Sequence, residues 1–152
     1  MKKIFLISFT IVAGLCCKKD KEDGAVDFLS FGTAYDECIG NCANFFKLAG
    51  DKIYPDNTTR YSGEGSVIFK TTALSNDKYL LAKELIDNFP AYLLTTSGQT
   101  FGCPDCADQG GIHIELKTKG ETKFWHIDID VTKQPVEIRS YIERMRTILG
   151  QL

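Results

Sequence analysis

Residues 112–131, with the sequence IHIELKTKGETKFWHIDIDV, determine the expected fold of this chain. Apolar and polar residues alternate on both sides of Lys119-Gly120, and alternation over about 4 to 8 residues is typical of a half-buried β-strand. A glycine-containing pair between two alternating runs is a typical tip of a β-hairpin. The pattern therefore predicts two antiparallel strands, residues 112–118 and 122–131, with one apolar face against a core.

The same alternation predicts the register of this hairpin. If residues 119–120 form a two-residue loop, Ile114 lies opposite Trp125 and both side chains belong to the core face. His113 then lies directly opposite His126 on the second face. A shift by one residue would move Trp125 away from the core, so the pattern favours this register.

The polar second face of the hairpin is the first candidate for chemistry. His113 and His126, facing each other across a strand pair, can share one metal ion, and Glu115 or Asp128 can complete a zinc site. A register shift of two residues would instead place each histidine opposite a carboxylate, giving a charge-complementary face. We expect the simpler case, in which this face of the sheet is solvated, replacing His113 costs little stability and no cofactor is bound.

The remaining segments complete the expected architecture. Runs of β-compatible residues predict four further strands, at residues 26–35, 43–48, 52–54 and 66–71. One helix is predicted from a cap at residues 75–77 to a stop at Pro90, and a second from Pro135 to Gly150, with residues 95–111 as a long loop. Strands grouped around two helices favour an α+β fold, an antiparallel sheet with two helices packed on one face.

Four cysteines lie beyond the N-terminal segment: Cys38, Cys42, Cys103 and Cys106. In an exported protein an even number of cysteines favours disulfides, and four allow three connectivities. Residues 40–41 can fold the chain back between the first two, and residues 104–105 favour a type I turn between the others, so we predict two local pairs. The alternatives are a thiol-disulfide oxidoreductase that uses Cys103 and Cys106, and a zinc site of four thiolates.

The N-terminus has the pattern of an export signal. Residues 1–3 are Met-Lys-Lys, residues 4–15 form an apolar run, and Cys16-Cys17 precede a densely charged segment. The run is too short to span a bilayer of about 30 Å and is typical of a secretory signal. A cysteine directly after it resembles the lipobox of bacterial lipoproteins. That resemblance implies cleavage before a cysteine that carries a diacylglyceryl group.

Cys17 is the favoured lipidation site and Cys16 is the alternative. The lipoprotein family prefers a small residue before the cleaved bond, and Cys16 is small whereas Leu15 is bulky. The expected organisation is a signal peptide at residues 1–16, a charged tether at 17–25 and a single α+β domain at 26–152. An ordinary cleaved signal peptide with two incidental cysteines is the other interpretation.

Two resemblances suggest a family for the domain and a cellular location for the protein. The loop Cys38-Ile39-Gly40-Asn41-Cys42, the helix, the hairpin and the closing helix together resemble a family of uncharacterised secreted bacterial domains with a C-x-G-x-C loop. The likeness covers most of residues 28–150 and implies no known enzymatic activity. The charged tether is similar to those of surface-exported lipoproteins in Bacteroidota, which implies a position at the bacterial outer membrane or cell surface.

Composition and motifs argue against several classes of function. The formal net charge of −2 gives no basic footprint for nucleic acid. The chain contains no G-x-S-x-G elbow, P-loop or dinucleotide fingerprint. We therefore expect a lipid-anchored binding or interaction module without catalytic activity. Its expected partners are the membrane, through the lipid, and an unknown protein or small-molecule ligand.

The expected lipid anchor can be tested directly. Mass analysis of the mature N-terminus, after expression with the full signal in a bacterial host, should show a diacylglyceryl-modified cysteine at position 17, or at position 16. The reason is the apolar run that ends at two cysteines. Recovery of unmodified protein from the soluble fraction of those cells would refute the prediction.

Overall fold

The predicted hairpin lies inside a six-stranded sheet. The computed structural model describes residues 26–152, so the predicted signal peptide, both candidate lipidation sites and the predicted tether lie outside the described residues. The strands are β1 (Val26–Ala34), β2 (Ala43–Ala49), β3 (Lys52–Pro55), β4 (Gln99–Phe101), β5 (Gly111–Thr118) and β6 (Glu121–Asp128). The helices are α1 (Asn76–Asp87), α2 (Ala91–Leu94) and α3 (Arg139–Leu149), with a short 3-10 helix at Val131–Lys133.

The strand order is β3-β2-β1-β5-β6-β4. Neighbouring strands are antiparallel, except that β4 runs parallel to β6. Within residues 26–152, no helix combines the length and the apolar character that crossing a bilayer requires.

Strands β5 and β6 pair in the predicted register. Ile114 lies opposite Trp125, and His113 lies opposite His126. Residues 119–120 form the turn, and their φ angles of 51° and 80° are both positive. Two positive φ angles are typical of a type I′ turn, whose twist matches that of the flanking strands. The register prediction is confirmed.

One face of the sheet packs against the helices and forms the main core. Trp125 is 2% exposed, and its ring centroid lies 5.6 Å from that of Phe89. The hydroxyl of Tyr141 in α3 donates a hydrogen bond to the carbonyl of Leu85 in α1 over 3.1 Å. Other side chains of this core are Leu29, Phe31, Leu48, Ile53, Leu93, Ile112, Ile114, Ile127, Ile142, Met145 and Ile148. The predicted α+β class is confirmed.

Residues 66–71 do not form the predicted strand. Their pairing with the end of β3 is reduced to an isolated bridge between Asp56 and Phe69. The backbone N–H of Ile68 donates to the hydroxyl of Thr58 over 2.8 Å. A side chain therefore occupies the place that a strand carbonyl would take in a ladder, and the pairing does not extend.

Other boundaries also differ from those predicted. The loop at residues 95–111 contains β4, which the sequence did not reveal because three residues carry no periodicity. Strand β6 ends at Asp128 rather than at residue 131, because the carboxylate of Asp130 accepts from Thr132 N over 2.9 Å and caps the 3-10 helix. Helix α3 begins at Arg139, because residues 135–138 form a separate turn. A hydrogen bond from Ile138 N to the carbonyl of Pro135, over 3.2 Å, closes this turn.

Truncating Trp125 tests the core face. Trp125→Ala should lower the free energy of unfolding by about 3 to 5 kcal/mol, since it removes a buried aromatic side chain and leaves a cavity. Val136, which is 70% exposed, gives the control, and Val136→Ala should change stability by less than about 0.5 kcal/mol. Urea denaturation measures both. A Trp125→Ala variant as stable as the control would contradict the assigned register.

Candidate functional site

The second face of the sheet is covered rather than solvated. Residues 56–69, here called the cover loop, pack over it and place Tyr61, Val67 and Phe69 against a second small core. That core consists of Ala34, Ala43 and Phe45. His113 is only 9% exposed. The expectation of an open polar face is therefore wrong at His113, and the exposure on which we based a small cost for replacing His113 is absent.

The cover loop is fixed at its start by hydrogen bonds to the sheet and to the neighbouring loop. Asp56 accepts from Phe45 N through its carboxylate over 2.9 Å. Cys42 N donates to the carbonyl of Thr59 over 2.9 Å, and the guanidinium of Arg60 donates to the carbonyl of Cys38 over 3.3 Å. These contacts direct the chain so that the next residue, Tyr61, lies over the histidine pair.

A single row of residues crosses the sheet beneath the cover loop. The row consists of directly opposed residues of neighbouring strands, in the order Phe45, Gly32, His113, His126 and Thr100. Gly32 is required here, because a Cβ atom at this position would lie 2.7 Å from Cδ1 of Phe45. The missing side chain lets the Phe45 ring reach a centroid distance of 5.8 Å from His113.

The two imidazoles are stacked on each other, and the ring of Tyr61 lies against His113 at a tilt of 56°. The centroids of His113 and His126 lie 3.8 Å apart with an interplanar angle of 29°. Tyr61 lies 4.3 Å from His113, and Phe45 lies 5.4 Å from Tyr61, again between centroids. A metal ion lies in the plane of an imidazole that binds it, so two imidazoles that share an ion converge on it instead of stacking face to face.

The carboxylates proposed for the zinc site do not face the histidine pair. Asp128 is buried, and its two oxygens accept from Cys103 N and Asp130 N, each over 2.9 Å. Glu115 lies opposite Phe124, so no histidine faces a carboxylate across the strands. In the described part of the chain, no three side chains of His, Cys, Asp or Glu are grouped as metal ligands.

A cleft of about 250 Å³ opens between the cover loop and the edge strand β4. Three of the sequence-predicted site residues line it, namely His113, His126 and Glu115. Nothing in the sequence marked the other contributors: the cover loop has no periodicity, β4 is very short, and Phe45 and Phe124 are apolar residues of predicted strands. Among these contributors are Phe45, Tyr61, Glu64, Thr100 and Phe124.

Burial sets the protonation states in this cleft. It lowers the pKa of His113 from 6.5 to about 3, with a further contribution from neighbouring His126. The pKa of His126 is also lowered by burial, against the opposing influence of nearby carboxylates. Burial, together with surrounding carboxylates, raises the pKa of Tyr61 to about 12. At neutral pH both imidazoles are therefore uncharged and the phenol keeps its proton.

Glu115 is the half-buried acid of the cleft. Its pKa is raised by burial and by Glu64, while Lys47 and Lys117 oppose the rise. The carboxylate of Glu115 is therefore a stronger proton acceptor than an ordinary surface carboxylate.

The two predicted local disulfides are present. The Cα atoms of Cys38 and Cys42 lie 5.7 Å apart, and those of Cys103 and Cys106 lie 5.5 Å apart. This pairing leaves no thiolate for a four-cysteine zinc site. The predicted type I turn is wrong, because Asp105 has a φ of 61°, the left-handed value found at the third position of a type II turn.

The disulfide loop at residues 103–110 packs beside His126 through Pro104. The carboxylate of Asp105 accepts from Asp36 N and from Gly110 N, the latter over 2.6 Å, and so joins the two disulfide loops. Gly111 leaves the space in which His126 and Pro104 meet, since a Cβ atom there would contact both. Cys103 and Cys106 follow β4 in this loop and are not at a helix N-terminus, the setting that commonly activates a thiol.

No family model matches this chain, and no curated protein matches it.

The buried imidazole predicts a pH-dependent stability. The unfolded chain protonates His113 below pH 6.5 while the folded chain keeps it neutral down to about pH 3. The free energy of unfolding should therefore fall as the pH falls through this window. Between about pH 7 and pH 5 the contribution of His113 should be about 1 to 2 kcal/mol.

The variant His113→Phe keeps an aromatic ring and removes the titration. Urea denaturation at both pH values should show a smaller loss of stability in this variant than in the unmodified chain. The comparison also separates His113 from Glu115, which titrates in both proteins. An equal pH dependence of the two proteins would contradict a neutral, buried His113.

Proposed function

We propose that this protein is a non-catalytic module that binds a small molecule in the cleft beneath the cover loop. Lipidated Cys17 would tether the module to the bacterial outer membrane or cell surface. The observation that carries the binding proposal is the cleft itself, in which Tyr61 lies on the stacked pair of His113 and His126. Concave sites with aromatic walls and a few polar groups are the usual form of small-ligand sites.

The pKa values of His113 and Tyr61 favour a binding role for these two residues over proton transfer. A group that transfers protons in catalysis works best with a pKa near the working pH. His113, with a pKa of about 3, and Tyr61, with a pKa of about 12, are both far from neutrality. Both are therefore suited to offering flat faces and fixed dipoles to a ligand rather than to exchanging protons with it.

The two alternatives have weaker support. A thiol-disulfide oxidoreductase would use the exposed pair Cys103 and Cys106, but that pair lacks the helix N-terminus that lowers a thiol pKa. A metal-binding protein would use His113 and His126, but their rings are stacked. The two disulfides support a structural role instead, since each closes a short loop and Asp105 joins the two loops by hydrogen bonds.

The binding proposal predicts that small fragments perturb one defined part of the chain. In amide NMR spectra of the full chain, titration with a library of small aromatic and amine fragments should shift signals of residues 61–65 and 113–115. Tyr61→Ala should weaken the best fragment roughly tenfold, because it removes the aromatic wall. Tyr54→Ala is the matched control, since Tyr54 is not among the residues that line the cleft.

The same titration distinguishes the alternatives. Zinc added alone should leave the amide signals of residues 113 and 126 unchanged, and zinc-induced shifts at both would favour the metal-binding alternative. If no fragment shifts the cleft signals, or if Tyr54→Ala weakens binding as much as Tyr61→Ala, the proposed function is wrong.

A further inference from the structure

The charges that line the cleft have one sign. The acidic residues Glu64 and Glu115 line it, and the described lining residues include no lysine or arginine. Both histidines are neutral because burial lowers their pKa. The charged residue types that line the cleft are therefore acidic, and no lining cation offsets them.

The nearest lysines do not neutralise this charge from inside the cleft. The ammonium group of Lys47 lies 4.7 Å from the ring centroid of Phe69 and 5.7 Å from that of Phe28. Lys47 is therefore engaged by two aromatic faces, and neither it nor Lys117 is a lining residue. Their influence on Glu115 is smaller than the effect of burial, since the net pKa shift of this carboxyl is upward.

The aromatic walls add a second attraction for positive charge. Phe45, Tyr61 and Phe124 line the cleft beside the glutamates. The face of an aromatic ring attracts a cation, and the attraction is strongest where water is excluded. Aromatic faces combined with carboxylates are the usual recognition elements for organic ammonium groups.

We propose that the ligand of the cleft is a small organic cation, a quaternary ammonium or a protonated amine. Its charge lies beside Glu115 and Glu64, and its body packs on the rings of Tyr61 and Phe124 that line the cleft. The volume of about 250 Å³ limits the ligand to a small molecule. The inference rests on the proposed binding function and specifies the chemical class that this function serves.

Matched probes that differ only in charge test the class. Choline is compared with its neutral carbon isostere 3,3-dimethylbutan-1-ol, and benzylammonium is compared with benzyl alcohol, by amide NMR titration of the full chain. Each cation should bind at least about tenfold more tightly than its neutral partner. The shifted signals should include those of residues 61–65 and 113–115.

A pair of variants assigns the effect to the cleft. Glu115→Gln keeps the shape of the side chain and should weaken the cations about tenfold while leaving the neutral probes unchanged. Glu143→Gln is the matched control, because Glu143 is exposed on α3 and does not line the cleft. An amide spectrum of Glu115→Gln that retains its dispersion shows that the variant is folded.

Several outcomes overturn the inference without touching the proposed function. Equal binding of cation and neutral isostere, or unchanged cation binding by Glu115→Gln, means that charge does not select the ligand. A failure of all four probes, when the library contains a neutral fragment that shifts the cleft signals, rejects the cation class and retains the binding site. A failure of every probe and every fragment refutes the proposed function itself.

Discussion

The side-by-side placement of His113 and His126 depends on the two-residue turn between β5 and β6. Because both turn residues have positive φ, the twist of the turn matches that of the strands and the register is fixed. The same register places Trp125 in the helix-covered core. A shift of β6 by one residue would exchange its two faces, bringing Trp125 beneath the cover loop and His126 against the helices, away from His113. The core and the cleft therefore rest on the same backbone geometry.

Two different packings meet at the central strands. The helix-covered face is a conventional apolar core, whereas the second face combines imidazoles, aromatic rings and carboxylates under a loop. Gly32 makes the second packing possible, because the space that its side chain would fill is taken by Phe45. Burying two imidazoles next to each other is tolerated because both stay uncharged. The cleft therefore combines aromatic walls with carboxylates and uncharged imidazoles.

Local patterns predicted much of this fold, and the non-local contacts explain what they missed. The hairpin was predictable because its alternation and its turn are contiguous, and α1 was predictable because its apolar residues recur at helical spacing and Pro90 ends it. The cover loop was not predictable, since hydrogen bonds of Asp56, Thr59 and Arg60 to a distant loop and strand fix it. Three of the four residues predicted for the zinc site line the cleft. The fourth, Asp128, accepts hydrogen bonds from Cys103 N and Asp130 N instead.

The short edge strands of the sheet affect how copies of this domain interact when many of them are held close together. Within residues 26–152 the two outermost strands are short: β3 has four residues and ends at Pro55, and β4 has three. The long strands β1, β5 and β6 are all interior. An exposed edge is a template for pairing with another chain, and short edges or a proline suppress that pairing. The described domain is thus built to resist edge-to-edge aggregation even at high local concentration.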